Sequence, residues 1–275
     1  MASEPEVLRF EDVSVHFDDA VALDHVSFEM HAGDTRIVLG AAGSGKTTLL
    51  KVALGLVQPD SGRIYAFGQD ATNLPETAWF DIRSKMGVLF QEGGLFDSMT
   101  IAENVSYPLE NQHAAEKTGP STNGNVGEKV REALRFVELE QTVDKFPSEL
   151  SGGMRRRVGI ARAIVTEPQL VLYDSPTAGL DPITANTIVN LILKERDLRN
   201  TASIMVTHRY QDGHLMANFR YNPHSGQIEL APPAGAGDRQ EKTEFFVMQE
   251  GRLVFAGTQP ELKASEDPYV RKFVK

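Results

Sequence analysis

Short apolar runs alternate along the chain with stretches of helical periodicity, and the alternation predicts an α/β architecture. Residues 7–17 (VLRFEDVSVHF) and 24–30 (DHVSFEM) predict strands of a partly exposed antiparallel sheet. Residues 35–40 (TRIVLG) form a short apolar run that ends in glycine. Residues 46–56 (KTTLLKVALGL) then place apolar side chains at helical spacing. A strand is predicted at 62–68 (GRIYAFG), and a buried parallel strand at 86–90 (MGVLF).

From about 97 to 166 the pattern becomes helical. Within it, 127–140 (GEKVREALRFVELE) sets Val130, Leu134 and Val137 on one face. The polar, Gly- and Pro-containing stretch 111–128 predicts a loop. Strands return at 170–174 (LVLYD) and 203–208 (SIMVTH), separated by a helix over 183–199. A second irregular stretch, 231–243, precedes a hairpin over 245–257 that turns at Glu250–Gly251, and a short helix closes the chain. No internal repeat is visible.

Composition narrows the function classes. The 275 residues are 41% hydrophobic and 24% charged, ordinary values for a globular protein. A net charge of −10 argues against nucleic acid as the partner. The local cluster Arg155-Arg156-Arg157 therefore reads as a solvated helix face. With no cysteine, disulfide and thiolate chemistry are excluded. The N-terminus lacks the apolar core of a signal peptide, and no window reaches the ~20 apolar residues of a membrane span, so work at a membrane would need a partner.

Candidate chemistry sits where strands end. GAAGSGKT, Gly40 to Thr47, matches G-x-x-x-x-G-K-[ST] between a strand and a helix. Its glycines let backbone N–H groups face phosphates, and the helix dipole favours the same charge. Lys46 would reach the β- and γ-phosphates and Thr47 would ligate magnesium. Asp174 ends LVLYD, where a carboxylate beside the phosphate loop can hold Mg²⁺ through water. LSGGM, Leu150 to Met154, puts a serine and two glycines at a helix start, a second anion-binding end. Gln91 and His208 each follow a predicted parallel strand.

The order Lys46, Gln91, Ser151, Asp174, Asp181, His208 resembles the ATP-binding cassette (ABC) ATPases over nearly the whole chain. The resemblance implies a single P-loop cassette over 1–275, with an antiparallel β subdomain, a helical subdomain at about 97–166 and a divergent C-terminal region at 209–275. It implies that ATP is bound by Gly40, Ala41, Ala42, Gly43, Ser44, Gly45, Lys46, Thr47 and Thr48, with Mg²⁺ at Thr47, Gln91 and Asp174. Phe17 would stack on adenine, and His208 would be the switch histidine. Ser151, Gly152 and Gly153 of the signature, with Asp181 of the D-loop, would complete a nucleotide site across a dimer with a second cassette, here a homodimer. Residues 86–109 and 267–274 (DPYVRKFV) are similar to the Mla-type cassettes of lipid transport. That similarity implies an integral membrane permease touched by the segment after Gln91, an MCE-domain lipid-binding partner, and a cytoplasmic place on the inner face of the membrane. The stretch after His208 departs from that pattern.

One position departs in its chemistry. After the Walker B aspartate the family carries glutamate, and here Ser175 follows Asp174. Serine cannot act as a carboxylate base, whose assistance is typically worth ~10²–10⁴ in rate. Three readings stay open: slow hydrolysis with His208, Gln91 and Ser175 positioning water, a non-hydrolysing cassette paired with an active one, or an engineered trapping substitution. Glu92 reads as a solvated loop carboxylate. A soluble ABC ATPase of DNA repair or translation would carry tandem cassettes or a coiled-coil insertion, and neither is visible.

Overall fold

A computed structural model of the chain describes residues 4–18, 20–112, 123–231 and 242–274. Its centre is a six-stranded sheet. Strands β3 (Thr35–Gly40), β6 (Met86–Leu89), β7 (Leu170–Asp174), β8 (Ala202–Val206), β11 (Thr243–Gln249) and β12 (Arg252–Gly257) lie in the order β12-β11-β3-β8-β7-β6. All neighbours run parallel except β12, which pairs antiparallel with β11 as the predicted hairpin.

The sheet is buried on both faces, and period-two alternation divides its side chains. Ile37, Leu39, Val171, Tyr173 and Met205 join one core; Val38, Leu170, Leu172, Ile204 and Val206 join the other. The first core is covered by α3 (Ile101–Gln112), α4 (Asn123–Phe136), α5 (Gly152–Ile164) and α6 (Pro182–Arg199). The second is covered by α1 (Lys46–Ala53), α2 (Glu76–Arg83) and a four-stranded antiparallel sheet. That sheet has the order β2-β1-β4-β5, from β1 (Glu6–Phe17), β2 (Ala20–His31), β4 (Ser61–Ala66) and β5 (Gln69–Asp70).

Some elements differ from the sequence-based expectation. Helix α1 stops at Ala53, short of 56, because Gly55 turns left-handed at φ 65. Helix α4 keeps Val130 and Leu134 buried but ends at Phe136, before Glu138 turns left-handed at φ 60; Val137, just past the end, is buried too. Of the loop expected at 111–128, residues 113–122 lie outside the described residues; 111–112 end α3 and 123–128 begin α4. Residues 232–241 of the second irregular stretch also lie outside them. After His208 the chain forms α7 (Tyr210–Asn218), a two-stranded hairpin of β9 (Phe219–Asn222) and β10 (Gln227–Leu230), and later α8 (Gln259–Ala264).

The arginine cluster is a correction. Arg155 donates to Leu150 O at 2.7 Å, Arg157 to Val137 O at 3.1 Å, and Arg156 is buried. Arg156 shares a helix face with Ile160 and Ala163, both buried, so helical phase turns it inward. The three side chains hold neighbouring backbone and do not form a solvated face.

One buried charge sets a pH dependence. Glu195 of α6 is fully buried, and burial pushes its carboxyl up to about 7, with Arg199 Nε at 3.7 Å offsetting part of that. A raised carboxyl pKa favours the folded state while the group is protonated. Its contribution is therefore complete below about 4.5 and lost as pH rises to about 7. Glu195→Gln should remove this loss, so its stability advantage over wild type should grow from pH 5 to pH 8 by at most about 3 kcal/mol. Urea denaturation at both pH values checks this, and an advantage independent of pH would refute it.

Candidate functional site

The parallel strands β3, β8, β7 and β6 end along one edge, and their ends carry the residues singled out by sequence. Gly40 ends β3, Asp174 ends β7, His208 lies two residues past β8, and Gln91 lies two residues past β6. Three inter-strand spacings of ~4.8 Å separate β3 from β6, so this row spans roughly 14 Å. Ligands gather at such an edge because loops and helix N-termini meet there.

The phosphate loop is the most tightly built part. Lys46 is buried, and its Nζ donates to Gly40 O at 2.9 Å, Ala41 O at 2.6 Å and Ser44 Oγ at 3.2 Å. Burial pushes its pKa down, and the charge of Asp174 pulls it part of the way back up. Gly45 has φ 102, and a Cβ there would stand 2.3 Å from Ala22 O, so the start of β2 packs directly on the loop. Gly251 N–H donates to Ser44 O at 3.2 Å, adding the β11–β12 turn as a second support. Ala41, Ala42, Gly43 and Thr47 face solvent, and Thr48 is half-buried. Phe17, 48% exposed, pairs with Ala20 at the corner where β2 meets the loop.

Ser175 sits beside this loop in an unusual backbone state. Its φ is 50, its side chain is buried, and its hydroxyl donates to Asp174 Oδ1 at 3.2 Å. Its N–H donates to Val206 O at 3.0 Å. Arg156 donates to the carbonyls of Ser175 at 3.1 Å, Pro176 at 2.6 Å and Ala178 at 2.9 Å. The signature helix thus grips the loop that carries Ser175. Gln91 shares a cleft of about 480 Å³ with Gly152, Arg156 and Gly179.

Ser151, Gly152, Gly153 and Asp181 form a separate group. Ser151 caps α5 by accepting from Met154 N at 3.3 Å. Asp181 caps α6, accepting from Ile183 N and Thr184 N, each at 3.0 Å, and from Thr184 Oγ1 at 2.5 Å. The Thr184 hydroxyl and these N–H bonds hold its carboxyl below the usual range. A Cβ on Gly153 would stand 2.6 Å from Thr184 Cγ2, so the two caps pack together. They line an open cleft of about 600 Å³, where Ile183 is 80% exposed. Asp181 therefore lies with the signature group, its carboxylate occupied by its own helix.

Three residues at or beside the site, Arg156, Asp212 and Tyr269, were given no role in it by sequence. Arg156 and Asp212 each share a helical face with buried apolar residues, Asp212 with Met216, and that phase was a usable signal. Tyr269 accepts from Ala41 N at 3.3 Å and donates to Met248 O at 3.1 Å, and nothing local announces it.

The donor set suits magnesium: hydroxyl, carboxylate and amide oxygens at Thr47, Asp174 and Gln91, with no cluster of three or more His, Asp or Glu among the described residues. No helix among those residues is long and apolar enough to cross a membrane.

Comparisons with known proteins agree with this geometry. The methionine import ATP-binding protein MetN of Bifidobacterium longum is 37% identical over 190 residues, 69% of this chain and 46% of its own. The chain thus spans about half the length of that relative. The intermembrane phospholipid transport system ATP-binding protein MlaF of Haemophilus influenzae is 31% identical over 258 residues, 94% of this chain and 86% of its own. Among solved structures, the dimeric bacterial ABC transporter cassette MJ0796 is 25% identical, with a TM-score of 0.73 over 92% of this chain and 98% of its own. The family model described as ABC transporter matches residues 23–178, more than half of the chain. By fold, motif order and similarity alike, the chain belongs to the ATP-binding proteins of the ABC transporter family.

Proposed function

We propose that the chain is the ATP-binding and slowly ATP-hydrolysing subunit of a membrane transporter whose cargo is a lipid. One observation carries the nucleotide part. Lys46 lies buried and folded against the carbonyls of Gly40 and Ala41. Binding would exchange those carbonyl contacts for phosphate oxygens, at little cost in rearrangement. Gly40 to Thr48 cradle the phosphates, and Phe17 stacks on adenine. Thr47, Asp174 and Gln91 hold Mg²⁺, which when bound neutralises charge on the phosphate oxygens. Ser151, Gly152, Gly153 and Asp181 complete the site of a second copy, a role their exposed cleft supports. The dimeric cassette MJ0796 offers a precedent for such pairing.

Hydrolysis falls to His208, Gln91 and Ser175, which position water without a carboxylate base. Ser175 can orient a water but cannot take its proton at neutral pH. The predicted consequence is tight MgATP binding, slow turnover and a long-lived nucleotide-bound dimer.

The permease would dock after Gln91. A groove of about 360 Å³, lined by Phe90, Phe96, Tyr107, Pro108 and Arg162, supports that placement. The chain would then lie on the cytoplasmic face of the membrane through its partner. The lipid cargo rests on MlaF, which aligns with 94% of this chain, and an MCE-domain partner on the similarity of 86–109 and 267–274 to the Mla-type cassettes. A second reading, methionine import, is favoured by the higher identity of MetN, though over 69% of the chain. A regulatory cassette without useful turnover is favoured by Ser175 itself.

Three measurements test these readings. Lys46→Ala should weaken MgATP binding ~10–100-fold, the loss expected for charge-assisted phosphate contacts, with the fold retained. Unchanged affinity in a nucleotide titration would remove the phosphate-loop assignment. Ser175→Glu should raise kcat 10–10³-fold, the lower part of the range for a general base, with KM little changed. Steady-state phosphate release reads this: fast wild-type turnover that falls in the variant places the base elsewhere, and near-zero rates in both favour the regulatory reading. For cargo, phospholipid vesicles should stimulate turnover of the chain joined to its permease, and methionine should not; the reverse result would favour the second reading.

A further inference from the structure

We propose that Asp212 is a positioning residue that locks the Ser175 loop and His208 into a single register, an inference resting on the hydrolytic reading above. Asp212 stands in the first turn of α7 and is fully buried. Its Oδ2 accepts two hydrogen bonds, from Thr177 Oγ1 at 2.5 Å and from Thr207 Oγ1 at 2.6 Å. Thr177 lies two residues beyond Ser175, and Thr207 immediately precedes His208. One oxygen therefore ties together the two loops that carry the residues assigned to the attacking water.

The surrounding bonds close the network. Thr207 Oγ1 also accepts from Arg209 N at 3.1 Å, and Asp212 N–H donates to Arg209 O at 3.2 Å. Thr207 N–H donates to Val38 O, which fixes the loop to β3 and so to the phosphate loop. Arg209 Nε stands 3.6 Å from Asp212 Oδ1, which has no hydrogen-bond partner. The carboxylate thus contacts residues on both sides of His208 in sequence. From the opposite side, Arg156 holds the carbonyls of Ser175, Pro176 and Ala178.

A purely structural joint between these loops would be cheaper in apolar form. Burying a carboxylate with one oxygen lacking a hydrogen bond costs free energy that three well-packed aliphatic side chains would not. What the carboxylate adds is direction. Two short hydrogen bonds to one atom hold both loops against the same carboxylate oxygen, and displacement of either is felt by the other. Misplacement of a reacting group by 1 Å can cost on the order of 10²-fold in rate.

The test uses the full chain and two near-isosteric variants: Thr177→Val, which removes the single bond of the Ser175 loop to Asp212, and Asp212→Asn. Thr177→Val should lower kcat on the order of tenfold, with KM within about twofold of wild type, and Thr177→Ser, which keeps the hydroxyl, should recover most of that loss. Adding Thr177→Val to Asp212→Asn should cost little more than Asp212→Asn alone, because both act through one network. Independently of turnover, Thr177→Val should shift the ring NMR signals of His208, picked out among the seven histidines by His208→Gln. Wild-type kcat together with unshifted His208 signals in Thr177→Val would overturn the proposal, as would failure of Thr177→Ser to recover activity. If the wild type binds MgATP but releases no phosphate, the hydrolytic reading fails by itself, and the His208 signals decide: a shift supports the coupling of the two loops, no shift overturns it.

Discussion

The structure depends on a parallel sheet buried on both faces. Parallel strands need crossovers, crossovers put helices on the faces, and every strand then ends at the same edge. Four of these ends, in β3, β8, β7 and β6, bring Gly40, His208, Asp174 and Gln91 into one row from positions spread over most of the chain. No single motif could build that row. The apolar runs build it, because Val38, Leu172 and Ile204 must be buried on one face while Leu39, Tyr173 and Met205 are buried on the other. A one-residue slip in any strand would exchange its two faces and pull its terminal residue out of line.

Around that row, side chains that bond to backbone do most of the positioning. Lys46 holds Gly40 O and Ala41 O, Arg156 holds three carbonyls of the loop after β7, and Tyr269 accepts from Ala41 N–H while donating to Met248 O. Loops beside a nucleotide site have few internal backbone bonds, so their polar groups need partners from elsewhere. These partners come from the signature helix, the hairpin turn and the C-terminal segment, which ties distant stretches of chain to one site.

Legibility in the sequence follows from how local each feature is. The strands at 35–40 and 170–174 are continuous apolar runs bounded by polar or glycine residues, and they match β3 and β7 residue for residue. The phosphate loop and the signature are contiguous, and their backbone geometry follows from their glycines. Helix ends were less legible: the stop of α4 at Phe136 is set by Glu138 in a left-handed turn, a conformation no composition rule assigns to glutamate. The arginine cluster misled because net charge is a property of the whole chain, whereas the burial of Arg156 depends on the phase of one helix. Helical phase could mark Asp212 as buried, but its partner and that of Tyr269 lie 35 and 228 residues away in sequence, and no local pattern names them.

Ser175 shows how chemistry can change while geometry is kept. Its N–H is taken by Val206 O, its carbonyl by Arg156, and its left-handed φ of 50 is imposed by a loop anchored on both sides. None of these bonds uses the side chain. The position can therefore exchange a carboxylate for a hydroxyl without loss of the loop, and the hydroxyl turns to Asp174, donating to its Oδ1. The backbone bonds to Val206 and Arg156 thus hold the loop beside the phosphate loop and leave the side chain at 175 free to differ in chemistry.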